Sequence, residues 1–237
     1  MIEYKYLCEE AYEANMEIQR RNLVIYTWGN VSAFDPDKGI FAIKPSGVDY
    51  DMLTPDSMVL VDLDGKIAGG KLKPSSDTNT HMILYREFYP LVKSIRGITH
   101  THSTYAVAWA QARKSVPLFG TTHADYATFE IPCTEYMSEE AVKNNYELET
   151  GNLIADTFKK KNLNPAFINM VLVAGHGPFA WGKTAAASVF NCAILEEICK
   201  MALLTLTVDP LAKPLPDHII QKHWERKHGK NAYYGQV

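Results

Sequence analysis

The chain has 237 residues, 46% hydrophobic and 22% charged, with a formal net charge of -3 at pH 7. These are ordinary globular proportions, ample for a buried core. The slight acidic excess argues against nucleic acid as the main partner, because no surplus of lysine and arginine exists to release counterions, but it leaves room for a local cationic pocket for one phosphate. Cys8, Cys133, Cys192 and Cys199 form no C-x-x-C pair and no disulfide-framework spacing, which points to reduced thiols. Met1 to Lys5 lacks the basic and apolar regions of a signal peptide, and the apolar stretch Met201 to Val208 is too short to span a bilayer. The expectation is a soluble, cytoplasmic protein without a membrane partner, one sizeable domain over residues 1–237 or at most two small ones.

Leu7, Ala11, Ala14 and Ile18 recur at helical spacing, so an amphipathic helix opens the chain over about 3–20. Strand-like runs follow at Val24 to Thr27, Ile40 to Ile43 and Met58 to Asp62. Asp64-Gly65 then marks a hairpin leading into Lys66-Ile67-Ala68. Thr78 to Phe88 reads as a helix, with Ser75, Ser76 and Asp77 suited to cap it. A strand through Ile95 and Ile98 carries His100 and His102, and a helix over about Thr104 to Gln111 comes next. Glu147 to Lys161 reads as another helix, with Leu148, Ile154 and Phe158 as buried positions, and Glu147 and Glu149 fall at its start. The apolar run Met170 to Ala174 is a strand before His176. Thr184 caps a long helix in which Phe190, Ile194, Ile198 and Met201 share a face. Asp209 to Pro216 holds three prolines and is irregular, and the tail is helical to Lys227. Hairpins mixed with helices indicate an α+β fold, with helices covering a largely antiparallel sheet.

His100 and His102 carry the strongest chemical signal. Strand side chains alternate faces, so an H-x-H triplet aims both imidazoles the same way. With His176 at another strand end, three neutral imidazoles make a catalytic metal site with an open position; a pair of core or solvated histidines is the plainer account. Lys44-Pro45-Ser46-Gly47 and Lys71 to Asp77 offer charge, hydroxyls and backbone N–H groups for a phosphate, or serve as a turn and an N-cap. Trp28-Gly29-Asn30 is either a bulge or a binding loop. Thr121 to Tyr126 is dense in hydroxyls and titratable groups. Asp125 there is a proton carrier or a cap, and His123 a further ligand or a core histidine. The terminal Tyr233-Tyr234-Gly235 either stays exposed or packs on a neighbour and delivers a phenol.

Taken together, these segments resemble the class II aldolase/adducin superfamily, and within it the L-ribulose-5-phosphate 4-epimerase branch. The resemblance rests on LVIYTWGNVS (Leu23 to Ser32), IKPSGVDY (Ile43 to Tyr50), KPSSDT (Lys73 to Thr78), GITHTHS (Gly97 to Ser103) and GTTHADY (Gly120 to Tyr126). ETGN (Glu149 to Asn152), GHGPFAWGK (Gly175 to Lys183) and RKHGKNAYYGQ (Arg226 to Gln236) complete it, in family order along essentially the whole chain. It implies an αβα domain with a mainly antiparallel sheet, assembled as a homotetramer with active sites at subunit interfaces. It implies that His100, His102 and His176 bind a divalent metal, usually zinc, with Asp77 completing the first shell or standing beside it. It further implies a phosphate site at Asn30, Lys44, Ser46, Gly47, Ser75 and Ser76, and substrate contact at Thr121. Asp125 and Tyr234 match the family's acid/base pair, and Glu147 and His223 its interface residues near the site.

The activity implied is interconversion of L-ribulose 5-phosphate and D-xylulose 5-phosphate. The C4 proton is not acidic, because the ketone lies at C2. Breaking the C3–C4 bond is the better route, since the C2 carbonyl takes the electrons; a metal Lewis acid polarises that carbonyl, and re-addition to the other face of the aldehyde inverts C4. An aldolase that releases the aldehyde from a related phosphorylated ketose is the alternative, and Mn²⁺, Co²⁺ or Fe²⁺ suits the same donor set as Zn²⁺.

Overall fold

The computed structural model describes residues 4–230, 232 and 233. The alternation of side chains along the strands sets the architecture. In β1 (Asn30–Asp35), β2 (Ile40–Ile43) and β3 (Val59–Asp62), Phe34, Phe41, Ile43, Val59 and Val61 point to one side. Val31, Ala33, Ala42 and Leu60 point to the other. β6 (Met170–Val173) and β7 (Gly177–Gly182) divide in the same way, with Val171, Val173, Phe179 and Trp181 opposite Met170, Leu172 and Ala180. A sheet apolar on both faces must be covered on both.

Helices α2 (Thr78–Phe88) and α5 (Glu139–Lys160) cover the first face, through Met82, Tyr85, Phe88, Ile154 and Phe158. On the second lie α1 (Lys5–Arg20), α3 (Thr104–Ala112) and α6 (Ala185–Val208). With β4 (Ile67–Gly69) and β5 (Gly97–His100), the sheet has seven strands in the order β4-β3-β2-β1-β5-β7-β6, every strand pair antiparallel. This is the expected αβα arrangement. The short α4 (Thr121–Ala124) and α7 (Asp217–His228) pack on each other outside these layers. All four cysteines are free and buried, and no helix among the described residues is long and apolar enough to cross a membrane.

Close packing explains two glycines. A Cβ on Gly97 would lie 2.3 Å from the Thr184 carbonyl oxygen, so only glycine lets the start of α6 sit on β5. Gly29 has φ +73 and stands against the carbonyl of His100, which brings the loop before β1 onto the end of β5.

Several local expectations are corrected. Val24 to Thr27 is not a strand: Tyr26 has φ 51 and is 81% exposed, and the strand begins at Asn30 once the chain reaches the sheet. His102 lies beyond the last residue of β5. Helix α5 starts at Glu139, capped by Ser138, with a kink at Asn145, so Glu147 and Glu149 lie inside it. On α6, Phe190 and Met201 are exposed, while Val189, Cys192, Leu195, Cys199 and Ala202 join Ile198 in the buried stripe, because the helix rests on the sheet through its small residues.

Candidate active site

The ligand atoms of His100, His102 and His176 all lie within 4.8 Å of one another. Strand pairing brings them together: His100 ends β5 directly opposite Asn30 of β1 and Phe179 of β7, and His176 stands in the turn joining β6 to β7. The His100 ring stacks on Phe179 at 4.2 Å, and its Nδ1 lies 2.9 Å from the Pro178 carbonyl. Just past His102, both oxygens of Glu196 accept the first N–H groups of α3, from Tyr105 and Ala106, which pins the segment that carries His102. Burial and the neighbouring His100 hold the pKa of His176 down to about 4 and lower that of His102, so both are neutral donors at pH 7.

Asp77 was expected to cap α2, but its side chain makes no capping bond. It turns instead to accept 2.7 Å from the Asn30 amide, with Oδ2 4.0 Å from His100 Nε2. Burial opposes its ionisation; the imidazoles and the Asn30 bond outweigh this and keep its pKa below the usual carboxylate value. Asn30 Oδ1 is buried without a partner among the described residues.

The two phosphate-loop candidates meet. Ser46 N–H donates to the Lys73 carbonyl and Ser75 N–H to the Lys44 carbonyl, around a bridge between Pro45 and Pro74. Together they wall a cavity of about 390 Å³ in which Lys44, Ser46, Gly47, Ser75 and Ser76 face Asn30, Asp77, His100 and His102. Lys44 is 2% exposed, and burial pushes its pKa down to about 8.

The remaining candidates lie elsewhere in the chain. Asp125, at the end of α4, accepts two bonds from Arg226, at 3.0 and 2.6 Å, and faces His223 at 3.0 Å and Lys227 at 3.5 Å. Burial opposes its charge, but the hydrogen bonds from Arg226 and His223 and the charges of Lys227 and Arg226 outweigh it and lower its pKa. Neither Asp125 nor Thr121, Glu147 or His223 lines the cavity. The Glu147 carbonyl accepts from Thr80, tying α5 to α2. Tyr234 lies outside the described residues. His123 does not join the imidazole cluster: it is buried in α4, with Nε2 3.1 Å from the Phe129 carbonyl, a core histidine.

Sequence reasoning missed Tyr146 and His81 beside the site, and named Trp28 only within a bulge or binding loop. The Tyr146 hydroxyl lies 3.4 Å from His176 Nδ1, and the Trp28 ring 5.8 Å from His102. His81, fully buried on α2, bonds Ser32 behind Asp77. Of the two missed, only His81 carried a signal, its spacing of one helical turn from Asp77.

The class II aldolase and adducin N-terminal domain family matches residues 9–203. The chain belongs to this family. It is 48% identical over 230 residues to the L-ribulose-5-phosphate 4-epimerase UlaF of Salmonella paratyphi B, covering 97% of this chain and 98% of that one. The protein of the same name from Salmonella paratyphi C is 49% identical over the same coverage. Among solved structures, an L-fuculose 1-phosphate aldolase superposes with a TM-score of 0.78 at 24% identity, over 93% of this chain and 95% of that one. YgbL from Escherichia coli does so with a TM-score of 0.70 at 23% identity, over 92% and 97%. At these identities the two structures support the fold alone.

Proposed function

We propose that the chain is a metal-dependent epimerase that interconverts L-ribulose 5-phosphate and D-xylulose 5-phosphate by opening and re-forming the C3–C4 bond. The observation that carries this reading is one cavity in which His100 and His102 of the imidazole cluster face the loops of Lys44 to Gly47 and Ser75 to Asp77. Relatives at 48–49% identity over nearly their whole length carry that activity in their names.

The residues fit a divalent ion, zinc in this reading. A carbonyl cannot donate, so the Pro178 contact places the proton of His100 on Nδ1 and leaves Nε2 bare, 3.1 Å from His102 Nε2. His102 Nε2 then meets it as a hydrogen-bond donor, and a cation would take the place of that shared proton. His100, His102 and His176 would hold it, with Asp77 as fourth ligand or neighbour. When bound, the ion supplies Lewis-acid polarisation of the ketose carbonyl.

The chain's own groups do the rest. Lys44, Ser46 and Ser75, with the backbone at Gly47, hold the 5-phosphate, so the glycolaldehyde phosphate released by C3–C4 cleavage stays in place. One carrier takes the proton of the C4 hydroxyl as the bond opens. The aldehyde then turns, the bond re-forms on its other face, and a second carrier returns a proton to the new C4 oxygen. Asp125 and Tyr234 are assigned to these two tasks. Asp125 does not line the cavity of its own chain, which favours its delivery, with Thr121, Glu147 and His223, to a neighbouring copy in a homotetramer. Four free buried thiols suit a reducing cytoplasm.

The test is to incubate zinc-loaded protein with L-ribulose 5-phosphate and follow D-xylulose 5-phosphate beside a chelated control. Chelator-sensitive epimerisation is expected. Accumulation of free glycolaldehyde phosphate and dihydroxyacetone would instead make the chain an aldolase.

A further inference from the structure

The segment that carries His100 and His102 is gripped from behind. Thr99 and Thr101 alternate with the two histidines, so they turn away from the imidazole cluster, and both are fully buried against α6. Thr99 Oγ1 lies 2.7 Å from Ser188 Oγ, and Thr101 Oγ1 lies 3.4 Å from Cys192 Sγ. Glu196 follows one helical turn further on, accepting from the N–H groups of Tyr105 and Ala106 at 2.9 and 2.8 Å. Four residues of helix rise about 6 Å and two residues of strand about 6.6 Å. Ser188, Cys192 and Glu196 therefore step along α6 nearly in phase with Thr99, Thr101 and the start of α3.

A local residue stands ready for the last of these tasks and does not perform it. Ser103 occupies the N-cap of α3, yet its side chain makes no capping bond; it accepts from Thr101 at 3.2 Å instead. A serine cap stabilises a helix wherever the helix lies, whereas a carboxylate rooted in α6 also fixes where α3 begins. That matters for His102 more than for His100. His100 is held by pairing with β1 and β7, but His102 lies past the last residue of β5, three residues before the first N–H that Glu196 holds. The far end of α3 has its own hold on α6, through Trp109 Nε1–H to the Cys199 carbonyl at 2.9 Å.

We propose that Glu196 is a positioning residue for His102: by holding the first turn of α3 against α6 it sets the place of that imidazole beside His100 and His176, and so the affinity of the cluster for a divalent ion. The inference rests on the metal reading of the cluster and not on which sugar phosphate the cavity takes.

The test is zinc affinity, measured by competition with a chelator, with the absorption spectrum of the cobalt(II)-loaded protein beside it. Glu196→Gln leaves one acceptor and sets an amide N–H against the other backbone donor, so the first turn of α3 must shift. Zinc affinity should fall on the order of 10- to 100-fold, the usual cost of losing a group that orients a metal ligand, and the cobalt bands should move. Glu196→Asp, which keeps the charge on a shorter arm, should recover part of the loss. Two controls separate position from charge and from stability. Glu197→Gln makes the same charge change at the exposed neighbouring residue, and Thr184→Ala strips the cap of α6 that accepts from Ala187. Both should bind zinc as the parent does, Thr184→Ala with a lower Tm. In a double-mutant cycle, Glu196→Gln should cost nothing more on top of His102→Asn and its full amount on top of His100→Asn. Parental affinity in Glu196→Gln, an equal loss in either control, or additive losses with His102→Asn would overturn the proposal. If Glu196→Gln does not fold, Glu196→Asp is put through the same comparisons. A parent chain that binds no zinc would sink the metal reading itself and this inference with it; a parent that binds and a Glu196→Gln that binds equally well would sink only the role of Glu196.

Discussion

His100 Nδ1 and the Pro178 carbonyl oxygen stand 2.9 Å apart, joining the last residue of β5 to the second residue of β7. That contact decides the chemistry of the ring. Because the carbonyl only accepts, Nδ1 carries the hydrogen, and the bare Nε2 faces His102 and His176. Replacement by asparagine removes the Nε2 donor. His100→Asn should therefore purify with markedly less metal than the parent, measured by plasma mass spectrometry, and lose epimerase activity in step. Full activity in metal-depleted His100→Asn would remove the metal from the mechanism.

Lys44 gives the proposed phosphate cradle its charge. Burial brings its pKa down to about 8, so the group is a cation at pH 7 and neutralises as pH rises through that value. Affinity for a phosphorylated ketose should fall over the same interval, an alkaline loss in kcat/KM. Lys44→Met should abolish that limb and raise KM roughly 10- to 100-fold, the worth of one charge-assisted hydrogen bond. An unchanged KM in this variant would place the phosphate elsewhere.

How far the sequence reached is clearest at Asn30. Strand period, the Asp64-Gly65 hairpin and the helix over Thr78–Phe88 were legible because local pattern decides them. The true start of β1 was not. Ile25 and Tyr26 look like strand residues, yet they are exposed on a loop whose path is set by Gly29 against β5. The imidazole cluster was legible as residue types, and its closure depends on pairing β5 with β1 and β7, which no local pattern encodes. Asp77 misled in the same way: Ser-Ser-Asp before a helix reads as a cap, but the side chain is claimed by Asn30, 47 residues away.

His123 links the fold to pH. Burial pushes its pKa down to about 4, below the roughly 6.5 of an unfolded histidine. As pH falls below 6.5, the unfolded chain takes up a proton that the folded chain refuses until about 4, so stability is lost across that window. At pH 5 the group should cost about 2 kcal/mol relative to neutral pH. His123→Gln should reduce the acid sensitivity by that amount, read from urea unfolding of metal-free protein at pH 7.5 and pH 5. An identical acid loss in parent and variant would assign the effect to other groups.

The final prediction concerns which copy supplies Asp125. Its carboxylate is held by Arg226 and His223 and lies off the cavity of its own chain, so the proposed assembly must bring it to a neighbour's imidazoles. Asp125→Asn and Tyr234→Phe should each fold and hold metal while losing on the order of 10²–10⁴-fold in rate, as expected for a lost proton carrier. Asp125→Asn and His100→Asn, each inactive alone, should regain activity when dissociated, mixed and reassembled, because some mixed interfaces then join an intact imidazole cluster to an intact Asp125. If the mixture stays as inactive as its parts while native mass spectrometry shows mixed oligomers, Asp125 acts within its own chain or not at all.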